Sequence, residues 1–161
     1  MDLYSLFEWF ESSWLGYIGS NYGSVYALFG QSIHLMALAV LGGSVLVTDL
    51  RLLNVILRDV PAETVVENAH KFFKIGLIVI VATGVFMAAA IALRMYGNLF
   101  FWSKMVSLLV GVIFVFAIKM PLLRRSNYGA DKVWVTRLVA VASLCIWFTV
   151  AATGRWIGFS G

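Results

Sequence analysis

Long runs of apolar residues, separated by short charged segments, are the main pattern in this sequence. A membrane-spanning helix needs ~20 mostly apolar residues, because each residue adds about 1.5 Å to a helix that must cross the hydrocarbon core. By this criterion the chain predicts transmembrane helices over residues 24–48, 75–96, 99–120 and 138–156. The second is expected to extend into the cytoplasm from about residue 61. The predicted fold is all-α, a four-helix membrane bundle forming a single domain over residues 1–161.

A different pattern precedes the first apolar run. Residues 3–18 place large apolar side chains at helical spacing, with polar side chains on the opposite face. This arrangement predicts a short interfacial helix on the outer surface, serving as a lid or an anchor. Because acidic residues stand where a signal peptide would need basic ones, we expect no removable signal peptide.

Basic residues are distributed unevenly between the two sides of the predicted bundle. Nine flank the first and third connections, and three, Arg94, Lys104 and Arg155, flank the opposite face. The positive-inside rule therefore places the first and third connections in the cytoplasm and both termini outside. Tryptophan residues near the three outer helix ends agree with an interfacial aromatic belt.

Composition supports a membrane protein and narrows its partners. Apolar residues make up 61% of the chain and charged residues 12%, against about a quarter charged in ordinary soluble domains. The formal net charge is +4, yet the basic residues border apolar runs instead of forming a basic block, so a nucleic-acid partner is not expected. No phosphate-binding loop, metalloprotease motif or serine elbow is found. A non-catalytic or electron-transfer subunit is thus favoured over a stand-alone enzyme.

His34 is the first candidate for chemistry, because it falls near mid-membrane in the first span. Polar groups at that depth are costly and commonly functional. Counting residues from the outer helix ends predicts that Met87 and Cys145 share its level. Imidazole, thioether and thiolate are ligands that suit copper. The alternative is that Met87 and Cys145 are packing residues and that His34 bonds a neighbouring helix.

The outer cations form a second candidate group. Arg94, Lys104 and Arg155, with Gln31 on the His34 stripe, could bind haem propionates, a quinone headgroup or the carboxylates of a partner. The alternative is that the cations extend to lipid headgroups.

Three further positions have local interpretations. Asp49 and Arg51 are expected to pair at the start of the first loop, and Gly42 offers a point of close helix approach. His70 is interpreted as a solvated residue on the cytoplasmic extension.

Three segments carry a family resemblance: HLMALAVLGGSVLVTDLRLL (34–53), YGNLFFWSKM (96–105) and TGRWIGF (153–159). They resemble an uncharacterised family of small bacterial four-helix inner-membrane proteins. The chain is more distantly similar to CopD-type copper-resistance membrane domains and four-helix b-type cytochromes. The resemblance implies a shared polar signature, matched here by His34, Asp49, Arg51, Lys104 and Arg155. Some relatives are expected to have a histidine late in the third helix, where this chain has GVIFVFAIKM, which disfavours a haem held by two histidines.

These observations lead to three functional hypotheses. The leading one is a membrane subunit of a bacterial inner-membrane redox assembly, binding haem b or quinone near His34 and the outer cations. The alternatives are a copper-handling, CopD-like membrane protein and a structural anchor for a periplasmic partner. Beyond the lipid bilayer, the expected partners are other membrane or periplasmic subunits.

Overall fold

A computed structural model describes residues 2–160, which form seven α-helices. These are α1 (Leu3–Glu11), α2 (Trp14–Asn21), α3 (Gly23–Leu52), α4 (Ala62–Ala90), α5 (Ala92–Tyr96), α6 (Leu99–Arg125) and α7 (Val133–Ile157). Four of them, α3, α4, α6 and α7, are 25 to 30 residues long and apolar enough to cross a membrane. The predicted all-α membrane bundle is thereby confirmed. α3, α6 and α7 run beyond the predicted spans, because hydropathy marks only the uncharged part of a helix that continues into the interface.

The bundle has two ends that differ in their connections. One, here named the outer end, holds α1, α2, α5 and both ends of the described range, residues 2 and 160; there the Asn98 side-chain amide donates a 3.0 Å hydrogen bond to Ser160 Oγ. The opposite, inner end holds the connections from α3 to α4 and from α6 to α7. An even number of spans accounts for termini at one end. The assignment of the inner end to the cytoplasm stays a prediction from the basic residues.

The second span ends earlier than predicted. α4 stops at Ala90, Ile91 leaves helical geometry (φ −143°, ψ 40°), and the short α5 follows. The Leu93 N–H then donates a 2.7 Å hydrogen bond to Glu11 Oε2 on α1. A contact from the N-terminal segment therefore stabilises a break that neither proline nor glycine marks in the sequence.

The N-terminal segment forms two helices where one was predicted. α1 ends at Glu11, and Ser13 caps α2 by accepting a hydrogen bond from the Gly16 N–H. Asp2 caps α1 in the same way, and its hydrogen bonds from the Ser5 side chain and backbone lower the pKa of the Asp2 carboxyl. The Phe7 ring joins α1 to the bundle through three aromatic contacts, with ring centroids 5.5 Å from Tyr96, 5.9 Å from Trp102 and 6.3 Å from Phe101.

The four membrane helices pack as two antiparallel pairs. α3 packs extensively on α4, α6 on α7, and α7 also on α3. α4 meets α6 through aromatic side chains, including Phe73 and Phe116 (6.1 Å between centroids), so α3 and α6 lie diagonally opposite. α3 and α4 approach each other closely at Gly76, where an added Cβ would lie 3.0 Å from Leu41 Cβ. The predicted contact point Gly42 is wrong, because nothing lies within 4 Å of a Cβ placed there.

Two π-helical turns interrupt the membrane helices. One spans Tyr26–Ser32 in α3, just before His34, and the other spans Phe114–Lys119 in α6. Such turns shift the register of the following side chains and are frequent at functional sites. After the second turn the helix continues through Pro121, because proline there lies in the first turn of the next α-helical segment, where its missing N–H is tolerated.

Candidate functional site

His34 is held in a defined tautomer by α4. Its Nδ1 lies 2.8 Å from Thr83 Oγ1, and the Thr83 hydroxyl donates its own hydrogen to Val79 O at 2.7 Å. Since that hydrogen is already used, Thr83 Oγ1 accepts from His34, and Nδ1 carries the ring proton. The Lys104 ammonium next to the other ring nitrogen can only donate, so Nε2 keeps its unshared electron pair and the imidazole is neutral.

Lys104 faces that electron pair from across the bundle. Its Nζ lies 3.5 Å from His34 Nε2, and both side chains are half-buried. An ammonium can only donate hydrogen bonds, so the pair has one orientation. Within residues 2–160 the ion pairs are Lys119 with Asp49 and Arg124 with Glu67. Lys104 is thus a shielded cation without a carboxylate in the described part of the chain, and it favours an anionic or acceptor ligand.

Glycine makes room for this lysine on α7. A Cβ added at Gly154 would lie 3.3 Å from both Lys104 Cε and Nζ. On α4, a Cβ at Gly84 would lie 3.5 Å from His34 Cε1. The pair is therefore flanked by two glycines from the neighbouring helices.

An open groove lies on the surface of α6 and α7, and its lining includes Ser103 and Ser107, which flank Lys104 in the sequence. It has a volume of about 570 Å³ and is lined by Trp102, Ser103, Val106, Ser107, Val110, Ile146 and Thr149. The three hydroxyls in this groove donate to backbone carbonyls of their own helices. Their oxygen electron pairs can still accept, and apolar side chains supply the rest of the surface. Such a groove suits a flat, mostly apolar ring with polar edges.

The other predicted outer residues do not join this pair. Gln31, Arg94 and Arg155 are exposed, and the Arg155 guanidinium lies 4.8 Å from the centre of the Phe159 ring. Lys104 is therefore the member of the predicted cation group that meets His34.

The predicted copper ligands are also separated. Thr83 and Gly84, not Met87, lie level with His34; Met87 is one turn further out and packs at Gly30. Cys145 is exposed and lies nine residues, or ~13 Å, along α7 from Gly154. Counting residues from the helix ends predicted one common level for His34, Met87 and Cys145, but it neglects that side chains lean toward the N-terminus of their helix. His34 and Lys104 therefore lean outward, whereas Cys145, on a helix of opposite direction, leans inward.

A second polar cluster lies near the inner end, and it was not predicted. Asp49 Oδ1 is 2.5 Å from Lys119 Nζ, which also donates to Ser143 Oγ at 3.0 Å. Exposure is 0% for Asp49, 4% for Lys119 and 0% for Ser143. The expected pairing of Asp49 with Arg51 is wrong, because the Arg51 side chain donates to Val60 O and closes the first loop.

In each of the two clusters the lysine follows its partner on α3 by the same number of residues. Lys104 is 70 residues after His34, and Lys119 is 70 residues after Asp49. Each lysine reaches from α6 to the diagonally opposite α3. The sequence thus contains both contacts at an equal spacing of 70 residues, but an equal spacing alone does not identify two residues as neighbours.

His70 is not the solvated residue that was expected. Its half-buried ring stacks on Phe73 at 6.0 Å and meets the edge of Phe116 at 5.5 Å. It also lines a cavity of about 20 Å³ together with Lys119. His70 therefore belongs to the inner cluster.

The family assignment follows from a comparison that covers almost the whole chain. A family model matches residues 6–160. The chain belongs to the DUF6644 family. DUF6644 is described as a family of unknown function, which agrees with the resemblance to an uncharacterised family. No curated protein and no solved structure matches the chain.

The polar clusters of this DUF6644 protein fit the candidate ligands unequally. A haem iron bound at His34 Nε2 would have to occupy the place that faces the Lys104 ammonium. The second histidine of the chain, His70, precedes Thr83 by 13 residues on α4 and so lies about 20 Å further inward. The two histidines therefore do not suit one haem. In residues 2–160 no group of three or more His, Cys, Asp or Glu side chains could hold a metal ion. A quinone instead needs a hydrogen-bond donor near an apolar surface; Lys104 is such a donor on α6, the helix that also lines the groove.

Proposed function

We propose that this DUF6644 protein is a quinone-binding subunit of a redox assembly in the bacterial inner membrane. The observation that carries the proposal is the shielded Lys104 ammonium beside the Nε2 electron pair of His34. The groove between α6 and α7 opens toward lipid, from which a membrane-dissolved quinone would enter.

The chain's own groups suit both ends of the quinone reaction. A bound quinone supplies the redox chemistry, accepting electrons and protons at its carbonyl oxygens. Lys104 donates a charge-assisted hydrogen bond to such an oxygen and stabilises the negative charge that reduction places there. His34 Nε2 can accept a proton from a hydroxyl, and the Thr83 contact fixes the ring for that transfer.

A redox assembly also needs a second electron-carrying group, which we assign to a partner subunit. The quinone site lies near the outer end, so the partner would be a periplasmic or membrane subunit in the orientation that the basic residues predict. Aromatic residues of α1 cover the adjoining α4–α6 connection. In this arrangement α1 serves as the lid, and its exposed face is available to the interface or to the partner.

Quinone binding can be tested in lipid nanodiscs with a soluble ubiquinone or menaquinone analogue. Trp102 lines the groove, so bound quinone should quench tryptophan fluorescence. A hydrogen bond to a charged group is worth about 1.5–3 kcal/mol. Lys104→Met should therefore weaken binding by roughly 10- to 150-fold. Arg155→Met, which removes an exposed cation from the same end, is the matched control and should retain the wild-type affinity. Equal affinity in Lys104→Met and the wild type would refute the proposal.

The Nε2 electron pair of His34 favours copper handling as the alternative function. The neighbouring ammonium repels a cation, so the two proposals differ in the effect of one substitution. Lys104→Met should increase copper retention if copper is the ligand, and should weaken quinone binding if quinone is. His34→Ala should abolish copper retention in the first case.

A visible spectrum distinguishes haem binding from quinone binding and from copper handling. Sharp reduced-minus-oxidised bands of a b-type haem in the protein purified in mild detergent would replace the quinone proposal by a haem one. A chain that binds none of the three ligands would support the anchor hypothesis, for which α1 is the docking element.

A further inference from the structure

The inner cluster is a buried charge pair well separated from the quinone site. Asp49 follows His34 by 15 residues on α3, which corresponds to ~22 Å along the helix. Three helices contribute to it, because Asp49 lies on α3, Lys119 on α6 and Ser143 on α7. Its chemistry is therefore independent of ligand binding at the outer end.

Asp49 keeps one position open for a proton. Its Oδ1 accepts from Lys119, while Oδ2 is buried without a hydrogen-bond partner among the described residues. A buried carboxylate oxygen without a donor is costly. The electron pairs of Oδ2 are therefore the position at which this carboxyl can take up a proton.

Lys119 connects the pair to a cavity. Two of its three N–H donors are directed to Asp49 and Ser143, and its side chain also lines the cavity of about 20 Å³. Space of this size admits one water molecule. Ser44 and Thr48 line the same cavity and supply hydroxyl oxygens for that water.

His70 lines the cavity from the side of α4. Beyond it, Glu67 lies three residues earlier on the same helix and binds Arg124 (3.0 Å) and the Tyr128 hydroxyl (2.8 Å). Glu67 and Arg124 are partly exposed at the inner end, with side-chain exposures of 33% and 58%. The charged or titratable groups around His70 are Glu67, Lys74, Arg124, Lys119, Asp49 and Tyr128. His70 thus stands between a solvated acidic residue and the buried pair.

We propose that Asp49 and Lys119 form a proton-binding site that is loaded from the inner end through His70. The Lys119 N–H bond directed to Asp49 Oδ1 breaks as its proton forms an O–H bond there, and rotation of the neutral carboxyl then turns the O–H into the position of Oδ2. The neutral amine takes a proton from the cavity water, and His70 replaces that proton with one from solvent. The net change is the uptake of one proton, from Asp⁻/Lys⁺ to AspH/Lys⁺, with no oxidation or reduction; because this state leaves Lys119 without its counter-charge, it is populated only when the side facing the inner end is acidified.

The test is infrared spectroscopy of the full chain, labelled with ¹³C at aspartate and reconstituted in proteoliposomes. Acidifying the side that faces the inner end should produce the C=O band of a protonated carboxyl, and this band should be absent in Asp49→Asn. As a second assignment, the band should persist when Asp2, Asp59 and Asp131 are all replaced by Asn, because these lie outside the membrane helices.

The route through His70 is tested by the rate of appearance of this band. His70→Phe keeps an aromatic ring against Phe73 and Phe116. It should lower the rate at which the band appears by about 100-fold, the lower end of what a positioned acid–base group contributes. Asn68→Ala alters an exposed neighbour on the same helix and should keep the wild-type rate. The proposal is overturned if no Asp49 band forms while the helical circular dichroism is retained, if His70→Phe matches the wild type, or if only the outer side evokes the band. None of these results bears on quinone binding.

Discussion

Removal of the Asp49 charge should destabilise the bundle strongly. Asp49→Asn leaves the Lys119 ammonium, which is 4% exposed, without its counter-charge inside three helices. Breaking a buried ion pair from one side lowers the free energy of unfolding by about 3–5 kcal/mol. Since about 1.4 kcal/mol is a factor of ten, the equilibrium between folded and unfolded protein should shift by roughly 100- to 4,000-fold.

Unfolding by sodium dodecyl sulfate in mixed micelles can measure this loss. Tryptophan fluorescence is a suitable signal, because buried Trp147 packs against Phe73 with 5.2 Å between ring centroids. Glu67→Gln is the matched control, since it breaks the exposed pair with Arg124 at the same end. Exposed pairs contribute about 0–1 kcal/mol, so the control should lose little.

The double variant Asp49→Leu/Lys119→Met separates loss of the pair from loss of packing. Replacement of both partners by apolar groups of similar size is often neutral or stabilising. We therefore expect the double variant to recover most of the stability lost in Asp49→Asn. Ser143, which loses its lysine donor, can donate to a carbonyl of its own helix. If Asp49→Asn costs no more than Glu67→Gln, the inference that an uncompensated buried charge determines stability here is refuted.

Three further predictions concern packing, the outer end and orientation. Gly76→Val should lower the free energy of unfolding by about 1–3 kcal/mol through overpacking, whereas Gly42→Ala, which points into open space, should not; equal effects would contradict the packing described. Glu11→Ala removes the acceptor of the Leu93 N–H and should speed hydrogen–deuterium exchange in α1 and α5; unchanged exchange rates would contradict the role of Glu11 in holding α5. A cysteine placed in the 124–127 loop should be labelled only from the cytoplasm, and periplasmic labelling would reverse the predicted topology.

The fold was largely predictable because lipid imposes one strong requirement on the sequence. Each span must be long and apolar, so hydropathy located all four helices. The break at Ile91 was not predictable in this way, because it depends on Glu11 from a distant segment and no local residue signals it. The π-helical turns were equally hidden, since they change hydrogen-bond partners without changing the apolar pattern.

The candidate site was predictable only in part. The cost of a buried polar group identified His34 and Lys104 as residues that face inward, and the structure brings them together. Counting residues along a helix leaves out the direction of each side chain, and Cys145 is exposed, nine residues along α7 from the glycine that meets Lys104. Asp49 was assigned to its nearest basic neighbour, because proximity in sequence favoured Arg51 over a lysine 70 residues away.

The separation of 70 residues between Asp49 and Lys119 has a consequence for the synthesis and membrane insertion of the protein. Asp49 leaves the ribosome 70 residues before Lys119, which at typical synthesis rates is a delay of roughly 4 to 14 seconds. During this interval the first helical hairpin must hold Asp49 without its partner. The residue lies only three positions from the end of α3, so interfacial water or a transient proton can accommodate it until the third helix arrives. Arrival of Lys119 then makes the second hairpin the step that commits the newly made chain to its final assembly.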